Sequence, residues 1–501
     1  MKRVSIFIFF LSCMFMNGQN ISDVLRYSSE NVQGTPRFQA MGGAFGALGG
    51  DLSALNVNPA GSGIFNHGSF TVTGTYYDRE NTSSYFGGFS ESGFDDTDLN
   101  QIGGVLVFNN SDDTSDWNRL ALAFNYDLVQ NFDDRVLVRG SSPQGIDNYF
   151  SAFAQGLPLG NILLRDGEFI EDAYLDIGAS QGFADQQAFL GYYGGILDPE
   201  ALEDDNTVYS PNAQYSNVNQ DFLRSSAGYN GKFTLNLATQ YRQAVNLGAS
   251  LNFHNVLYER FDFYTEDGYD ADSEIQRTTF DNYLLTQGSG FSFSFGTIVK
   301  LNDIVRVGAS YQSPTWYRLT DDLSQRIDSD LADSDIGFIN FDIVNLFPRY
   351  TLKTPGKLTG SLALVFGKNG LLSVDYGYQD MSEARLRPTD DPNFATVNSD
   401  IGSRLAAVSS LRLGGEYRIE RFSLRGGYRF EQSPYEDGNT VGDLMGISGG
   451  IGYDFGGSRL DLAINRTEQD VNLQLFDVGL PTPANIERVN TNVSLGYTFN
   501  F

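Results

Sequence analysis

The end of the chain alternates strictly between apolar and polar side chains, up to the final residue. Its apolar members are Val489, Thr491, Val493, Leu495, Tyr497, Phe499 and Phe501. Runs with the same period recur along the chain, for example Leu120 to Leu128, Leu372 to Tyr378 and Leu460 to Ile464. Successive side chains of an extended strand point to opposite faces, so each run predicts a strand with one apolar face. Together with 55 glycines and 14% aromatic residues, these runs indicate an all-β chain.

The spacing of the runs distinguishes a soluble sandwich from a membrane barrel. Tight turns, such as those at 242–245 and 418–421, alternate with much longer connections, such as those at 140–227 and 320–353. A membrane barrel has short turns at one rim and long loops at the other, whereas a sandwich does not sort loops in this way. The lengths of the connections therefore favour a barrel in which the apolar faces of the strands contact lipid. A connection from Glu80 to Asp98 is counted among the long loops.

The number of runs predicts a 14-stranded antiparallel transmembrane β-barrel that closes on itself. The predicted strands begin near Gly68, Leu99, Asn118, Gly228, Val245, Gly288, Asp303, Thr354, Gly370, Arg404, Arg421, Asp443, Ser458 and Glu487. An even count places both termini at the short-turn, periplasmic rim. By strand parity the inward-facing side chains include His254, Asp375, Arg412, Glu416, Arg425, Arg429, Glu431 and Asp461. Fourteen strands enclose more space than such side chains fill, so we expect a plug in the lumen.

The first 19 residues predict a secretory signal peptide, because Lys2 and Arg3 precede an apolar run from Val4 to Met16. The only cysteine, Cys13, lies in that run; a lipobox at 10–13 is the alternative to an ordinary signal-peptide cysteine. Without Lys2 and Arg3, 31 basic and 62 acidic residues give the mature chain a charge near −31. This charge argues against nucleic acid as a partner.

A segment dense in glycine and alanine, Arg37 to Phe65, precedes the first predicted strand and contains Asn58, Pro59, Ala60 and Gly61. Its glycines at spacing three are reminiscent of a phosphate-binding loop, but such a loop follows a buried strand and opens a helix. Only a signal peptide and a short polar stretch come before this segment. We therefore assign residues 20–66 to a compact N-terminal hatch inside the barrel formed by residues 67–501.

Several blocks of the chain, in order, resemble the FadL/TodX family of outer-membrane transporters for long-chain fatty acids and other hydrophobic compounds. The hatch segment from Ala47 to Phe65 is similar to that family's N-terminal hatch, with its Asn-Pro-Ala element at Asn58 to Ala60. A proline-started hairpin at Thr354 to Leu358, and the block from Ser423 to Phe430 followed by Ser433-Pro434, are also similar.

The resemblance implies passive movement of a hydrophobic small molecule, such as a long-chain fatty acid or a hydrocarbon. It implies capture at the outer loops, passage past a hatch whose gate residues are Asn58, Pro59, Ala60 and Gly61, and lateral exit into the bilayer. In the family the exit lies beside an inward kink of the third strand, here the region from Asn118 to Gln130. No proline in that run marks such a kink. The family's carboxylate-binding basic residues do not align with particular positions of this chain.

The long extracellular loop, 140–227, contains two helix-like stretches, Asn148 to Gln155 and Glu171 to Leu197. Its aromatic and apolar residues have two interpretations of equal weight. They form a ligand-capture surface, or they pack together as a lid over the barrel mouth. The candidate capture residues are Phe150, Phe153, Leu157, Phe189, Tyr192 and Tyr193.

The sequence favours neither an enzyme nor a cofactor protein. His67 and His254 are the only histidines, and neither has an evident nucleophile or metal-ligand pattern beside it. Acidic loops at 266–274 and 328–335 admit calcium, although a solvated acidic loop is the simpler interpretation. We expect no catalytic residue, no cofactor and no metal site.

The predicted protein is a monomer in the outer membrane of a Gram-negative bacterium, with the lipid bilayer and a hydrophobic small molecule as its partners. The alternative is a barrel of the same fold that serves as a structural or docking subunit of an outer-membrane assembly or secretion machine. Its loops would then contact a protein partner.

Overall fold

The protein was examined as a computed structural model that describes residues 19–112, 114–389 and 391–501. Apart from Gln19, the predicted signal peptide, with Cys13, lies outside the described residues. Within them the chain forms fourteen antiparallel strands around a folded N-terminal segment. No helix in these ranges combines the length and the apolarity needed to cross a bilayer.

The strands pair in chain order, and the last one pairs with the first from Ser69 with Asn500 to Ser84 with Asn485. The ring is therefore closed, as predicted. Four strands are interrupted and have two segments. The strands are β1 (Ser69–Tyr85), β2 (Gly88–Asn109), β3 (Trp117–Asn131 and Asp134–Ser142), β4 (Val218–Tyr241), β5 (Val245–Asp267), β6 (Arg277–Lys300), β7 (Val305–Gln312 and Trp316–Ser329), β8 (Tyr350–Lys353 and Lys357–Phe366), β9 (Gly370–Asp380 and Arg385–Arg387), β10 (Ala407–Ile419), β11 (Phe422–Glu431), β12 (Leu444–Asp454), β13 (Ser458–Leu473) and β14 (Ala484–Asn500).

The apolar face of each strand points outward, and the polar face points into the lumen. Exposed outward side chains include Phe70, Val72, Leu122, Phe124, Leu235, Leu251, Phe295, Leu362, Tyr376, Leu424, Ile464 and Leu495. Most of the predicted inward charges, such as Arg412 and Glu416, are buried. An apolar exterior around a polar interior is the arrangement of a membrane barrel, so the predicted fold class is confirmed.

The first hairpin differs from the prediction of a long loop from Glu80 to Asp98. β1 and β2 continue without interruption to a tight turn at Phe86 and Gly87, whose φ angles are 43° and 79°. This stretch carries Asp, Ser and Thr on both faces. The hydrophobic alternation that marks the other strands is therefore missing, although the backbone is extended.

The connection between β3 and β4 runs from 143 to 217, because both flanking strands are longer than the predicted loop 140–227 allowed. It contains the helices α3 (Asp147–Ala154), α4 (Ile170–Ser180) and α5 (Phe183–Tyr193). A glycine with φ of 108°, Gly182, separates α4 from α5, so the second predicted helix is broken in two. Another helix, Pro392–Arg404, precedes β10. These helices lie at the long-loop end of the barrel.

The N-terminal segment consists of two parts that we name separately. The arm, residues 19–33, contains the helix α1 (Ile21–Ser28), which Asn20 caps in a reciprocal pair with Asp23. The hatch core, residues 34–65, contains a short helix, α2 (Pro36–Ala40), and two 3₁₀ turns, Leu52–Asn56 and Pro59–Ile64. Nearly all residues of the hatch core are buried.

Candidate functional site

The Asn58-Pro59-Ala60-Gly61 element lies at the contact between the hatch core and the barrel wall. The Asn58 side-chain oxygen accepts a hydrogen bond from Ala60 N at 3.0 Å and so caps the turn that begins at Pro59. The Asn58 amide nitrogen donates to Gly46 O at 2.7 Å and to Thr297 O on β6 at 3.0 Å. One buried side chain thus joins two turns of the hatch core to the wall.

Glycines in the wall allow this element to approach closely. A Cβ on Gly296 of β6 would stand 2.0 Å from the Asn58 side-chain oxygen, and one on Gly248 of β5 would stand 2.3 Å from Pro59 O. On β7, a Cβ on Gly308 would stand 2.2 Å from Gly46 O. Any larger residue would overlap the hatch core, because such distances lie far inside van der Waals contact.

Charged side chains fasten the other side of the hatch core. The Arg37 guanidinium donates to Glu416 on β10 at 2.8 Å, and Arg425 on β11 donates to the same carboxylate at 2.7 Å. Arg425 also pairs with Asp461 on β13 at 2.6 Å. All four side chains are almost completely buried. Each of these pairs is costly to break, because a buried charge would lose one of its few partners.

The arm is held mainly by apolar contacts. Four side chains of α1, namely Ile21, Val24, Leu25 and Tyr27, are buried in an apolar chamber. The chamber is lined from the wall by Val256, Tyr258, Leu284, Tyr317, Leu319, Leu323, Tyr350, Leu352, Leu386 and Val408. Burial of apolar surface contributes about 25 cal/mol per Å², so this chamber is a favourable environment for any apolar group of suitable size.

The arm also makes polar contacts with the wall, where Gln19 donates to Asp321 at 2.7 Å and Arg429 donates to Glu30 O at 3.0 Å. The Glu30 carboxylate lies 4.0 Å from Lys232 Nζ on β4 and 3.8 Å from Lys357 Nζ on β8. Burial opposes ionisation of Glu30, but these two ammonium groups outweigh it and hold the pKa of the carboxyl below its ordinary value. The carboxylate is therefore ionised at neutral pH, yet it lies outside hydrogen-bond distance of both lysines.

β3 turns inward at Phe132 and Asp133. Up to Tyr126 its residues alternate between exposed and buried, but Leu128, Val129, Gln130 and Asn131 are all buried. The second segment lies against the inner face of β1, since the Arg79 guanidinium donates to Asn131 O at 2.6 Å and the Asn81 amide donates to Arg135 O at 3.0 Å. An inward kink is thus present just beyond the run in which the sequence marked none.

The kink interrupts the backbone ladder between β2 and β3. β3 pairs with β2 only from Gln101 to Asn109, and among the described residues the rest of β2 pairs with β1 alone. The end of the arm and the first residue of the hatch core cross the inner end of this gap: Asn31 N donates to Val129 O at 3.4 Å, and Gly34 N donates to the Asn100 side chain. The barrel wall therefore has a discontinuity that the arm covers from inside.

The candidate capture residues lie in the connection from 143 to 217, which we call the lid. Aromatic rings of the lid pack against one another and against the barrel. Phe150 and Phe189 are fully buried, Phe153 is buried, and Leu157, Tyr192 and Tyr193 are half-buried. The Phe150 and Phe280 ring centroids are 5.0 Å apart. The lid cluster and the chamber of the arm share one neighbour, Phe183. A capture role for these residues stays a prediction.

The two histidines show no catalytic arrangement. His254 faces the lumen, where its Nδ1 lies 3.1 Å from the Tyr317 hydroxyl and 3.3 Å from the Asn230 side-chain oxygen. His67 Nδ1 lies 3.2 Å from Gly68 O. Within the described ranges, no group of three or more His, Cys, Asp or Glu side chains is placed to hold a metal ion.

Sequence reasoning missed three parts of this site: the wall glycines, the pair of lysines beside Glu30, and the kink. The glycines carried a readable signal, because Gly248, Gly296 and Gly308 stand within apolar-alternating strands where a glycine weakens the strand. The kink carried none, since no proline occurs in β3.

Comparison with known proteins places the fold. No family model and no curated protein matches the chain. Among solved structures, a Pseudomonas aeruginosa FadL homologue superposes with a TM-score of 0.55 at 12% identity, over 94% of this chain and 99% of that one. The CymD monoaromatic hydrocarbon channel gives 0.51 at 13% identity, over 94% and 99%. One structure of the P. putida toluene transporter TodX gives 0.50 at 13% identity, with the same coverage. The chain thus has the fold that its resemblance to the FadL/TodX family implied.

Proposed function

We propose that this protein is a monomeric outer-membrane channel that admits hydrophobic small molecules passively, with the N-terminal segment as its gate. The observation that carries the proposal is the apolar chamber inside an otherwise polar lumen, filled by α1 and adjoining the gap between β2 and β3. A water-filled pore has no use for such a chamber. The structures of similar fold support the proposal, because their ligands are named as toluene and monoaromatic hydrocarbons.

In the proposed path a molecule enters through the lid, passes Phe183 and takes the place of α1 in the chamber. From there it leaves sideways between β2 and β3 into the bilayer. A lateral exit keeps the apolar surface out of water, which at about 25 cal/mol per Å² is the main cost of a straight path to the periplasm.

Only the arm moves in this scheme. Gly34, at the junction of arm and hatch core, has φ of 118°, and a Cβ there would stand 2.1 Å from Ser53 Oγ. The junction is therefore held in a conformation that favours glycine, and the residues before it swing while those after it stay. Asn58, Pro59, Ala60 and Gly61 act as the fixed base of the gate.

The orientation follows from loop length. The short turns and both ends of the barrel lie at one rim, where Phe501 N donates to Gly68 O at 2.9 Å. Outer-membrane barrels keep their short turns in the periplasm. Both termini are thus periplasmic, and the lid faces the exterior of a Gram-negative cell.

A disulfide that ties the arm to the kink tests the proposal. Residues 20–501 contain no cysteine, so Asn31→Cys with Val129→Cys gives one pair, at backbone atoms 3.4 Å apart. In a host without its own hydrocarbon transporter, the unmodified protein should raise uptake of radiolabelled dodecane. The oxidised pair should lower uptake to the vector level, and a reductant should restore it.

Each single cysteine variant is the control, since it carries the substitution without the tether. If cells with the unmodified protein take up no more dodecane than cells with the empty vector, transport is refuted. Unchanged uptake by the fully oxidised pair would refute movement of the arm.

One observation favours the alternative of a docking subunit. Five apolar side chains at the long-loop end are strongly exposed, with exposed fractions of 60% to 82%: Phe89, Phe169, Leu202, Phe338 and Leu346. Exposed apolar groups that form a contiguous patch are typical of protein contacts. Purification from native membranes in mild detergent separates the two functions, because a docking subunit retains a stoichiometric partner and a channel does not.

A further inference from the structure

The arm has the chemical layout of an amphipathic carboxylate. Its apolar side chains, from Ile21 to Tyr27, fill the chamber, and the Glu30 carboxylate follows three residues after Tyr27. That carboxylate lies in a polar pocket directly beside the chamber, lined by Ser28, Asn230, Asn252 and His254 among others. The tail of an anionic amphiphile needs an apolar environment and its head group needs an adjacent polar one, in this same order.

The pocket is built for a carboxylate but is imperfectly filled by Glu30. Lys232 is almost completely buried and Lys357 is mostly buried, and Glu30 is the only carboxylate within 4.0 Å of either lysine among the described residues. Charge-assisted hydrogen bonds between an ammonium and a carboxylate are about 2.7–2.9 Å long. At 4.0 and 3.8 Å, Glu30 neutralises the two lysines without bonding to them.

The backbone explains the distance. Glu30 belongs to a chain tethered at α1 on one side and at Asn31, bonded to Val129 O, on the other. These attachments limit how closely its carboxylate approaches the two lysines. A free carboxylate has no such tether and can form both short bonds.

We infer that the arm is a tethered mimic of the ligand, and that Glu30 is a specificity-determining residue that reserves the Lys232–Lys357 pocket for amphipathic carboxylates. This inference rests on the proposed function. A carboxylate ligand replaces Glu30 and α1 together and gains two hydrogen bonds that Glu30 lacks. A neutral hydrocarbon displaces only α1 when it binds, and Glu30 moves only when the hydrocarbon leaves through the gap.

The test is the binding of two probes with the same tail, dodecanoate and 1-dodecanol, to the full-length mature protein in nanodiscs. Glu30→Gln removes the internal competitor, so the dodecanoate affinity should rise about tenfold, because the apparent affinity of a site is proportional to the fraction of it that is free, here taken as about one-tenth. The affinity for 1-dodecanol should change less than twofold. Lys232→Met and Lys357→Met should each lower dodecanoate affinity and spare 1-dodecanol.

Asp23→Asn is the matched control. Asp23 is the other carboxylate that anchors the arm, but its partners, Asn20 and Arg26, lie within or next to α1. Its removal loosens the arm without emptying the lysine pocket, so any gain in affinity should be equal for both probes.

The outcomes separate the two proposals. If neither probe binds the unmodified protein or any variant, the proposed function fails. If both probes bind, but Glu30→Gln changes both affinities equally or changes neither, the proposal that the arm mimics the ligand is refuted. The proposed channel function is then unaffected. A crystal structure with dodecanoate must show its head group within 3.2 Å of Lys232 or Lys357; a head group elsewhere also refutes the mimic.

Discussion

The two parts of the N-terminal segment are held in the barrel by different forces. The hatch core, residues 34–65, lies directly on the wall backbone, with glycines beneath Asn58 and a buried ionic network around Arg37. The arm, residues 19–33, is held by apolar contacts, by hydrogen bonds such as that from Gln19 to Asp321, and by one carboxylate that lies 3.8 Å or more from its two lysines. Apolar contacts can be exchanged for those of a ligand. In the proposed function the core therefore stays and the arm is replaced.

Deletions separate the two parts most strongly. Removal of residues 20–64 empties the lumen, so we expect single-channel conductance in planar bilayers to rise well above that of the unmodified protein. Removal of residues 20–33 leaves the core in place and should change conductance far less. Equal conductance for the two deletions would contradict the division, and no rise for the larger one would refute the plug.

The anchor of the core is the next test. Arg37→Met removes one of the three arginine partners of Glu416, and we expect unfolding to become easier by about 1.5–3 kcal/mol, the usual contribution of a hydrogen bond to a charged group, because Arg418 and Arg425 remain. Arg466→Met breaks an exposed pair with Glu468 and should cost less than about 1 kcal/mol. Denaturant titration of both variants in the same detergent measures the difference. Similar values would mean that the core is not fastened by Arg37.

The close contact between Gly296 and Asn58 is tested by adding a side chain at position 296. Gly296→Val drives a side chain into Asn58, and we expect a loss of about 1–3 kcal/mol, as for an overpacked core. Gly360→Val is the control, since a Cβ at Gly360 would meet nothing within 4 Å. Proteolysis of the hatch should accelerate in the first variant alone. If Gly360→Val behaves in the same way, then the wall glycines do not position the hatch.

Acid should release the arm and leave the core. Lys232, His254, Lys357 and Arg412 face Glu30 from β4, β5, β8 and β10 and are all potential cations. Its folded pKa lies below the ordinary value of 4.5, so its contribution to arm docking is complete above pH 4.5 and is lost as the pH falls through the lower folded pKa. The expected effect is the smallest of the four, because the ion pair is long.

Spin labels at Ser22→Cys on the arm and Ile64→Cys on the core report this release by electron paramagnetic resonance. Mobility at position 22 should rise below pH 4.5 and mobility at position 64 should not. Glu30→Gln should abolish the step. A step that persists in that variant would assign the release to another group.

The barrel was predictable because the alternation of apolar and polar side chains within each strand indicates which face of that strand points outward. The alternation from Val489 to Phe501 needs no knowledge of its neighbours, and the loop lengths show which rim is which. The prediction failed at Glu80 to Asp98, where the hairpin is polar on both faces and its pairing, not its burial, keeps it extended. It also missed the kink at Phe132, where Arg79 and Asn81 of another strand donate hydrogen bonds to the backbone on either side.

The candidate site was predictable only in part. Asn58 to Gly61 could be assigned to a hatch, since a chain rich in glycine and closed by Asn-Pro suits tight turns. Glu30, Lys232 and Lys357 carried no signal, because an isolated glutamate and two isolated lysines on separate elements resemble any solvated charges. Only their distances in space distinguish them.

The sequence by itself determined a closed barrel of fourteen strands, apolar outside and polar within, because side-chain alternation and turn length are local properties. The tertiary structure decided which contacts hold each part of the N-terminal segment. That decision depends on the approach of distant backbones, such as Gly296 to Asn58, and on the place where Glu30 stops short of two lysines. Neither distance is a property of any one segment of the chain.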